Sequence, residues 1–173
     1  MEALTVVQLF CFVFSTAGAP DFYLSKSRKK LACKSANQIV EESNLADIEP
    51  SLVMALITVE SNWKKTAISK AKACGLTQVI PKYTGKITKK YNCKQLQIPS
   101  NSIYVGIKTL KYWVNWHKGD IARGLCAYNA GYRCGGKRPN KHGMRYARKV
   151  LEIQGKIDAL YTRNMKRLKN END

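Results

Sequence analysis

The 173 residues carry 45% hydrophobic and 24% charged side chains, values that suit one globular domain with a real core and exclude a disordered or low-complexity chain. Thirty Lys and Arg stand against twelve Asp and Glu, a formal net charge of +18, which calls for an anionic partner or surface: nucleic acid, acidic lipid or acidic cell-wall polymer. The basic residues lie in short runs such as Lys64-Lys65 and Lys89-Lys90, with no single dense arm.

Residues 3–14 are apolar except for Thr5 and Gln8, and the small residues Ser15, Thr16, Ala17, Gly18 and Ala19 follow. The stretch is short for a membrane span. Its form is that of a secretory leader over residues 1–19, cut after Ala17 or Ala19. Glu2, the lack of Lys or Arg ahead of the apolar run, and Pro20 argue the other way. A retained segment in transient contact with a membrane, or a buried N-terminal element, stands as the rival reading. Six cysteines are present, but only two histidines, His117 and His142, and no Cys-x-x-Cys pair, so no metal site is expected. Short loop closures pair Cys74 with Cys93 and Cys126 with Cys134 in an oxidising compartment. Cys33 is left unpaired if Cys11 departs with a leader.

Residues 31–44 read as a first helix with Ala32, Ala36, Ile39 and Val40 on one face. Pro50 opens a second, as a proline at a first helical position does, and Leu52, Val53, Leu56 and Ile57 recur at three- and four-residue steps. Continuing that ladder from Leu56 lands on Glu60, which therefore faces the way the core faces. A carboxylate there is costly to ionise, and the desolvation raises its pKa towards the range of a general acid. The bland alternative is a helix-end glutamate turned to solvent or paired with Lys64.

A polar loop leads to Gly75-Leu76-Thr77-Gln78, whose one long polar side chain is that of Gln78. Residues 82–91 read as a short helix, residues 92–99 as a loop, and Asn101 or Ser102 as the cap of a helix running to His117. Residues 121–128 give another helix, which Gly131 ends. A basic loop follows to Gly143, then a last helix over residues 144–160 with Tyr146 on it, and a charged tail over residues 158–173. There are no repeats, no phosphate-binding glycine motif and no run of alternating strands. The expected fold is mostly α.

Glu60-Ser61, Gly75-Leu76-Thr77-Gln78, Ala127-Tyr128-Asn129-Ala130-Gly131 and Tyr146 are weak signals singly. In this order and spacing they resemble the catalytic domain of SLT-type lytic transglycosylases, the goose-lysozyme-like branch of the lysozyme superfamily. The likeness covers residues 31–157 and includes the approach Ala67-Ile68-Ser69-Lys70-Ala71-Lys72-Ala73-Cys74, which looks like the family's Ala-x-Ser-x-x-Gly-Ala-x-Gly-Leu-Met-Gln run. It implies a single lysozyme-like domain acting on peptidoglycan without a cofactor. Glu60 would be the catalytic acid at the bond between N-acetylmuramic acid and N-acetylglucosamine. Ser61, Gln78, Tyr128 and Asn129 would contact the substrate, and Tyr146 would hydrogen-bond the acid. Thr77 stands where the family usually has Met, and Lys72 where it often has Gly; both are expected at the cleft wall.

Most glycosidases need a second carboxylate, and Asp120 is the candidate if the chain is a hydrolase (a muramidase) of this fold. A lytic transglycosylase dispenses with one, since the muramic acid's C6 hydroxyl attacks C1 and leaves a 1,6-anhydro end. The resemblance further implies an exported enzyme of the periplasm or envelope, or one carried by a virion or by a secretion or conjugation assembly. A basic helical module that binds nucleic acid is the rival of another class; it leaves Glu60, Gln78 and Tyr128 unexplained.

Overall fold

The computed structural model describes Cys11 and residues 24–170. The leader reading of residues 1–19 lies outside the described residues apart from Cys11, which is bonded to Cys33. In the chain as it stands Cys33 is therefore paired; the free thiol was expected only if Cys11 departs with a leader. The other two disulfides are those read from loop closure, Cys74–Cys93 and Cys126–Cys134. Closing loops of 19 and 8 residues stabilises by about 2–3 kcal/mol each on the chain-entropy account.

The architecture is helical: α1 (Lys26–Ala46), α2 (Pro50–Ser61), the short α3 (Pro81–Thr84) and α4 (Cys93–Leu96), α5 (Pro99–Trp116), α6 (Ile121–Ala130), a 3-10 turn (Gly131–Cys134) and α7 (Lys141–Asn170). Helix α2 is the centre. The sequence ladder marks one face, yet all six residues from 52 to 57 are buried, as befits a helix that is apolar all round. Helices α1 and α7 pack directly on it. Burial of each Leu or Ile there stabilises by about 1.5–3 kcal/mol. Helix α7 runs antiparallel to α2, with Gln154 Nε2 donating to Ser51 Oγ at one end and Tyr146 reaching Glu60 at the other. In the α5–α6 hairpin, α5 packs on α1 and α6 on α7, and the hairpin adds Ile103, Ile107, Leu110, Val114 and Leu125 to the same core.

Several boundaries differ from the sequence reading, each for a local reason. Helix α1 starts at Lys26 rather than Leu31, because its lysine- and arginine-rich first turn is made of good helix formers whose side chains are exposed or only partly covered. The expected helix over residues 82–91 shrinks to Pro81–Thr84. Beyond it, the buried Thr84 hydroxyl accepts the Tyr91 N–H at 2.9 Å and closes a turn instead. The expected loop 92–99 contains α4, held by a reciprocal cap in which Asn92 Oδ1 accepts from Gln95 N and Gln95 Oε1 from Asn92 N. Helix α7 continues past Leu160 to Asn170. The composition turns polar there, but no Gly or Pro stops the helix, and Lys156 pairs with Glu152 at 3.1 Å one turn back. Among the described residues no helix is long and apolar enough to cross a membrane.

Candidate active site

Glu60 occupies the last turn of α2, where the apolar ladder delivers it to the edge of the core. Two left-handed residues follow, Asn62 at φ 46° and Trp63 at φ 62°. Asparagine tolerates that region; a bulky indole does not. Trp63 is held there because its ring is buried and its Nε1 donates to Thr58 Oγ1 at 3.1 Å. The reversal turns the chain away immediately after Glu60, leaving a strip of that residue open while its carboxyl end is enclosed.

Enclosure decides the electrostatics. Burial pushes the Glu60 carboxyl up from 4.5 to about 7, against the lowering effect of the hydrogen bond that Tyr146 Oη donates to Glu60 Oε1 at 2.6 Å. The tyrosine comes from the second turn of α7, 86 residues along the chain. Its own phenol is raised well above the ordinary value by burial first, then by the Glu60 charge. Tyr128, near the end of α6, is raised in the same way and by the same two causes in that order. Its hydroxyl donates to the Thr77 carbonyl at 2.7 Å. The structure thus brings three of the sequence candidates, Glu60, Tyr128 and Tyr146, into one electrostatic neighbourhood.

The remaining candidates are placed differently. Ser61 donates its hydroxyl back to Ile57 O at 3.2 Å. Gln78, at φ 51°, turns its amide inward, donating to Ala67 O at 3.1 Å and Gly75 O at 2.9 Å. It fastens its own turn as a first task. Asn129 is exposed beside Tyr128. Thr77 is fully buried against α5 rather than at a cleft wall, because its hydroxyl is spent on Ser102. Lys72 is exposed at φ 65°, a left-handed position that explains why glycine suits it. Ser102 and Asn101 do not cap α5, which starts at Pro99. Asn101 donates to Gln95 O, and Ser102 faces Thr77.

Asp120 is the N-cap of α6, accepting from Arg123 N at 2.9 Å, with Arg123 Nε 3.7 Å away. Tyr128 lies eight residues further on, about 12 Å along the helix axis. The candidate second carboxylate is therefore at the end of α6 remote from the Glu60 neighbourhood. No group of three or more His, Cys, Asp or Glu among the described residues is arranged to hold a metal ion.

Tyr146→Phe is a direct probe of this arrangement. Loss of the donated bond should raise the Glu60 midpoint above its present value of about 7, by up to about one pH unit, as followed by the 13C carboxyl resonance. A midpoint that stays put or falls would contradict the assigned bond.

The sequence pattern of the family described as Transglycosylase SLT domain matches residues 37–150, about two thirds of the chain. The chain belongs to that family, the SLT-type lytic transglycosylases. The SLT match spans Glu60, the 75–78 turn, Tyr128 and Tyr146. In three dimensions the chain is similar to the lytic transglycosylase Slt of Pseudomonas aeruginosa, solved as an inactive mutant. The TM-score is 0.62 at 20% identity, covering 74% of this chain and 24% of that one, a likeness of fold. An uncharacterised 20.7 kDa protein from the vs-regB intergenic region of Enterobacteria phage T4 is 38% identical over 80 residues, 46% of this chain and 38% of that protein. The aligned part is thus well under half the length of either relative. The lysozyme-like, mostly α SLT fold expected from the motifs is the fold observed.

Proposed function

We propose that the chain is a peptidoglycan lytic transglycosylase in which Glu60 is the single catalytic carboxyl group. The observation that carries this is the enclosed Glu60 with its pKa near 7 and its phenol partner. Near neutral pH a large share of Glu60 is protonated, and a neutral carboxyl can give its proton to the glycosidic oxygen as the C1–O4 bond breaks. The muramic acid's C6 hydroxyl then bonds to C1 and passes its proton to the Glu60 carboxylate, which returns to its starting state. Atoms and charge balance without water. Holding that hydroxyl against C1 is an intramolecular proximity effect worth several kcal/mol.

The place of Asp120 supports this route over hydrolysis. Two-carboxylate glycosidases hold their pair about 5–9.5 Å apart, whereas Asp120 caps the far end of α6. Ser61, Gln78 and Asn129 are proposed substrate contacts, each beside the neighbourhood of Glu60 in sequence or structure. The catalytic domain is proposed to cover residues 31–157, with the rest of α7 as a charged extension.

The positive charge of +18 suits retention on an anionic envelope at low salt. The proposed place of action is therefore outside the cytoplasm, in the periplasm or envelope, in wall remodelling or local wall opening. The phage relative favours a wall-opening task carried by a virion.

Mass spectrometry of products released from purified peptidoglycan tests the reading. Muropeptides ending in 1,6-anhydromuramic acid are expected. Reducing muramic ends would make the enzyme a hydrolase, and no release from several wall types would overturn the assignment.

A further inference from the structure

Thr77 is clamped from two sides by one residue of α5. Its N–H donates to Ser102 Oγ at 3.1 Å, its hydroxyl donates to Ser102 O at 2.8 Å, and the two side-chain oxygens lie 3.1 Å apart. Both residues are fully buried. One turn on, Gly106 leaves the space that Thr77 fills: a Cβ there would fall 2.4 Å from Thr77 Cγ2. The carbonyl of the clamped residue accepts the Tyr128 hydroxyl at 2.7 Å, and Tyr128 stands close enough to Glu60 to feel its charge.

A phenol has one proton to donate. With that proton bound to Thr77 O, Tyr128 has none for Glu60, and Tyr146 supplies the bond the acid receives. We propose that Ser102 and Thr77 are positioning residues that hold the Tyr128 proton away from Glu60, so that the acid keeps its own proton at neutral pH. The clamp rests on the assignment of Glu60 as the acid. A second phenol donating to the carboxylate would favour the ionised form. The titratable groups coupled to Glu60 are Tyr128 from α6 and Tyr146 from α7, so a freed Tyr128 is the group able to change its state. The effect is opposite in sign to that of Tyr146→Phe.

The test uses the full chain carrying Ser102→Ala, which removes the acceptor of the Thr77 N–H, or the nearly isosteric Thr77→Val, which removes the hydroxyl's bond to Ser102 O and serves if Ser102→Ala folds poorly; either one loosens the turn that holds the Thr77 carbonyl against the Tyr128 hydroxyl. Rates on purified glycan strands are read as kcat and KM across pH, beside the 13C carboxyl titration of Glu60. Expected are a fall in kcat of about tenfold at neutral pH, little change in KM, and a Glu60 midpoint and alkaline limb displaced to lower pH. Thr77→Ser should restore both, and in a Tyr128→Phe background Ser102→Ala should no longer move the midpoint. A folded Thr77→Val with an unmoved midpoint would overturn the clamp, as would an equal displacement in the Phe background. An active Glu60→Gln would instead remove the acid assignment beneath it, and the carboxyl titration keeps the two failures distinct.

Discussion

Glu60→Gln is expected to lower glycan cleavage by on the order of a thousandfold, the loss typical of removing a positioned general acid, while the fold survives. The amide is close in shape to the neutral acid, and its oxygen can accept the Tyr146 hydroxyl as Glu60 Oε1 does at 2.6 Å. The same substitution has a stability signature that follows from the raised pKa. Between pH 4.5 and about 7 the folded protein holds a proton on Glu60 that the unfolded chain has released, so stability falls as pH rises through that window. Below it both states are protonated and the site costs nothing. Above it the ionised carboxylate is carried at a penalty of about 3 kcal/mol. The glutamine variant lacks this loss. It should match the wild type near pH 4 and be the more stable protein at pH 8, by up to that amount, in thermal or urea unfolding at the two pH values. Equal pH dependence of the two proteins would mean that the carboxyl is not enclosed, and an active variant would mean that it is not the acid.

Part of the Glu60 neighbourhood was legible in the chain itself. Helical spacing carried Glu60 to the inner face of α2. The Ala-Tyr-Asn-Ala-Gly run and Tyr146 were assigned near it only through the family resemblance, since their own spacing marks no more than a helix end and a position on the last helix. What the sequence hid is the long-range hydrogen bonding. Ser102 looks like a helix cap, and only the approach of a turn 25 residues away makes it a clamp. Gln78 looks like a ligand-binding amide, yet its left-handed backbone turns the side chain onto Ala67 and Gly75. Some misses had a readable signal. Asn92-x-x-Gln95 is a capping pattern that identifies α4, and the absence of a stop after Leu160 permits α7 to run on. The bond from Cys11 to Cys33 joins the two cysteines left once the other four are paired, and it was not read from the chain because the leader reading would remove Cys11.

The turn that carries Thr77 and Gln78 is also the place where a single methyl group should do most damage. A Cβ on Gly75 would fall 1.9 Å from Leu96 O, and 2.8 Å from both Leu96 C and Ser102 Oγ, at a backbone φ of +80°. The left-handed conformation alone costs about 1–2 kcal/mol for alanine. The contact adds more, since its main partner is backbone and has nowhere to retreat. Leu96 is fully buried, α4 is locked by its reciprocal cap, and Cys93 at its start is bonded to Cys74, the neighbour of Gly75. Gly75→Ala is therefore expected to destabilise by about 4 kcal/mol or more, a fall in melting temperature of roughly 10 °C or more for a domain of this size. Gly119→Ala separates the two causes. Its φ is +89°, but nothing lies within 4 Å of the added atom, so it should lose only the conformational part, about 1–2 kcal/mol. Equal losses in the two variants would show that the turn does not sit against α4 as closely as described. Where Gly75→Ala does fold, the displaced turn should pull the Thr77 carbonyl off Tyr128 and lower activity out of proportion to the fraction unfolded, whereas Gly119→Ala should leave activity per folded molecule unchanged.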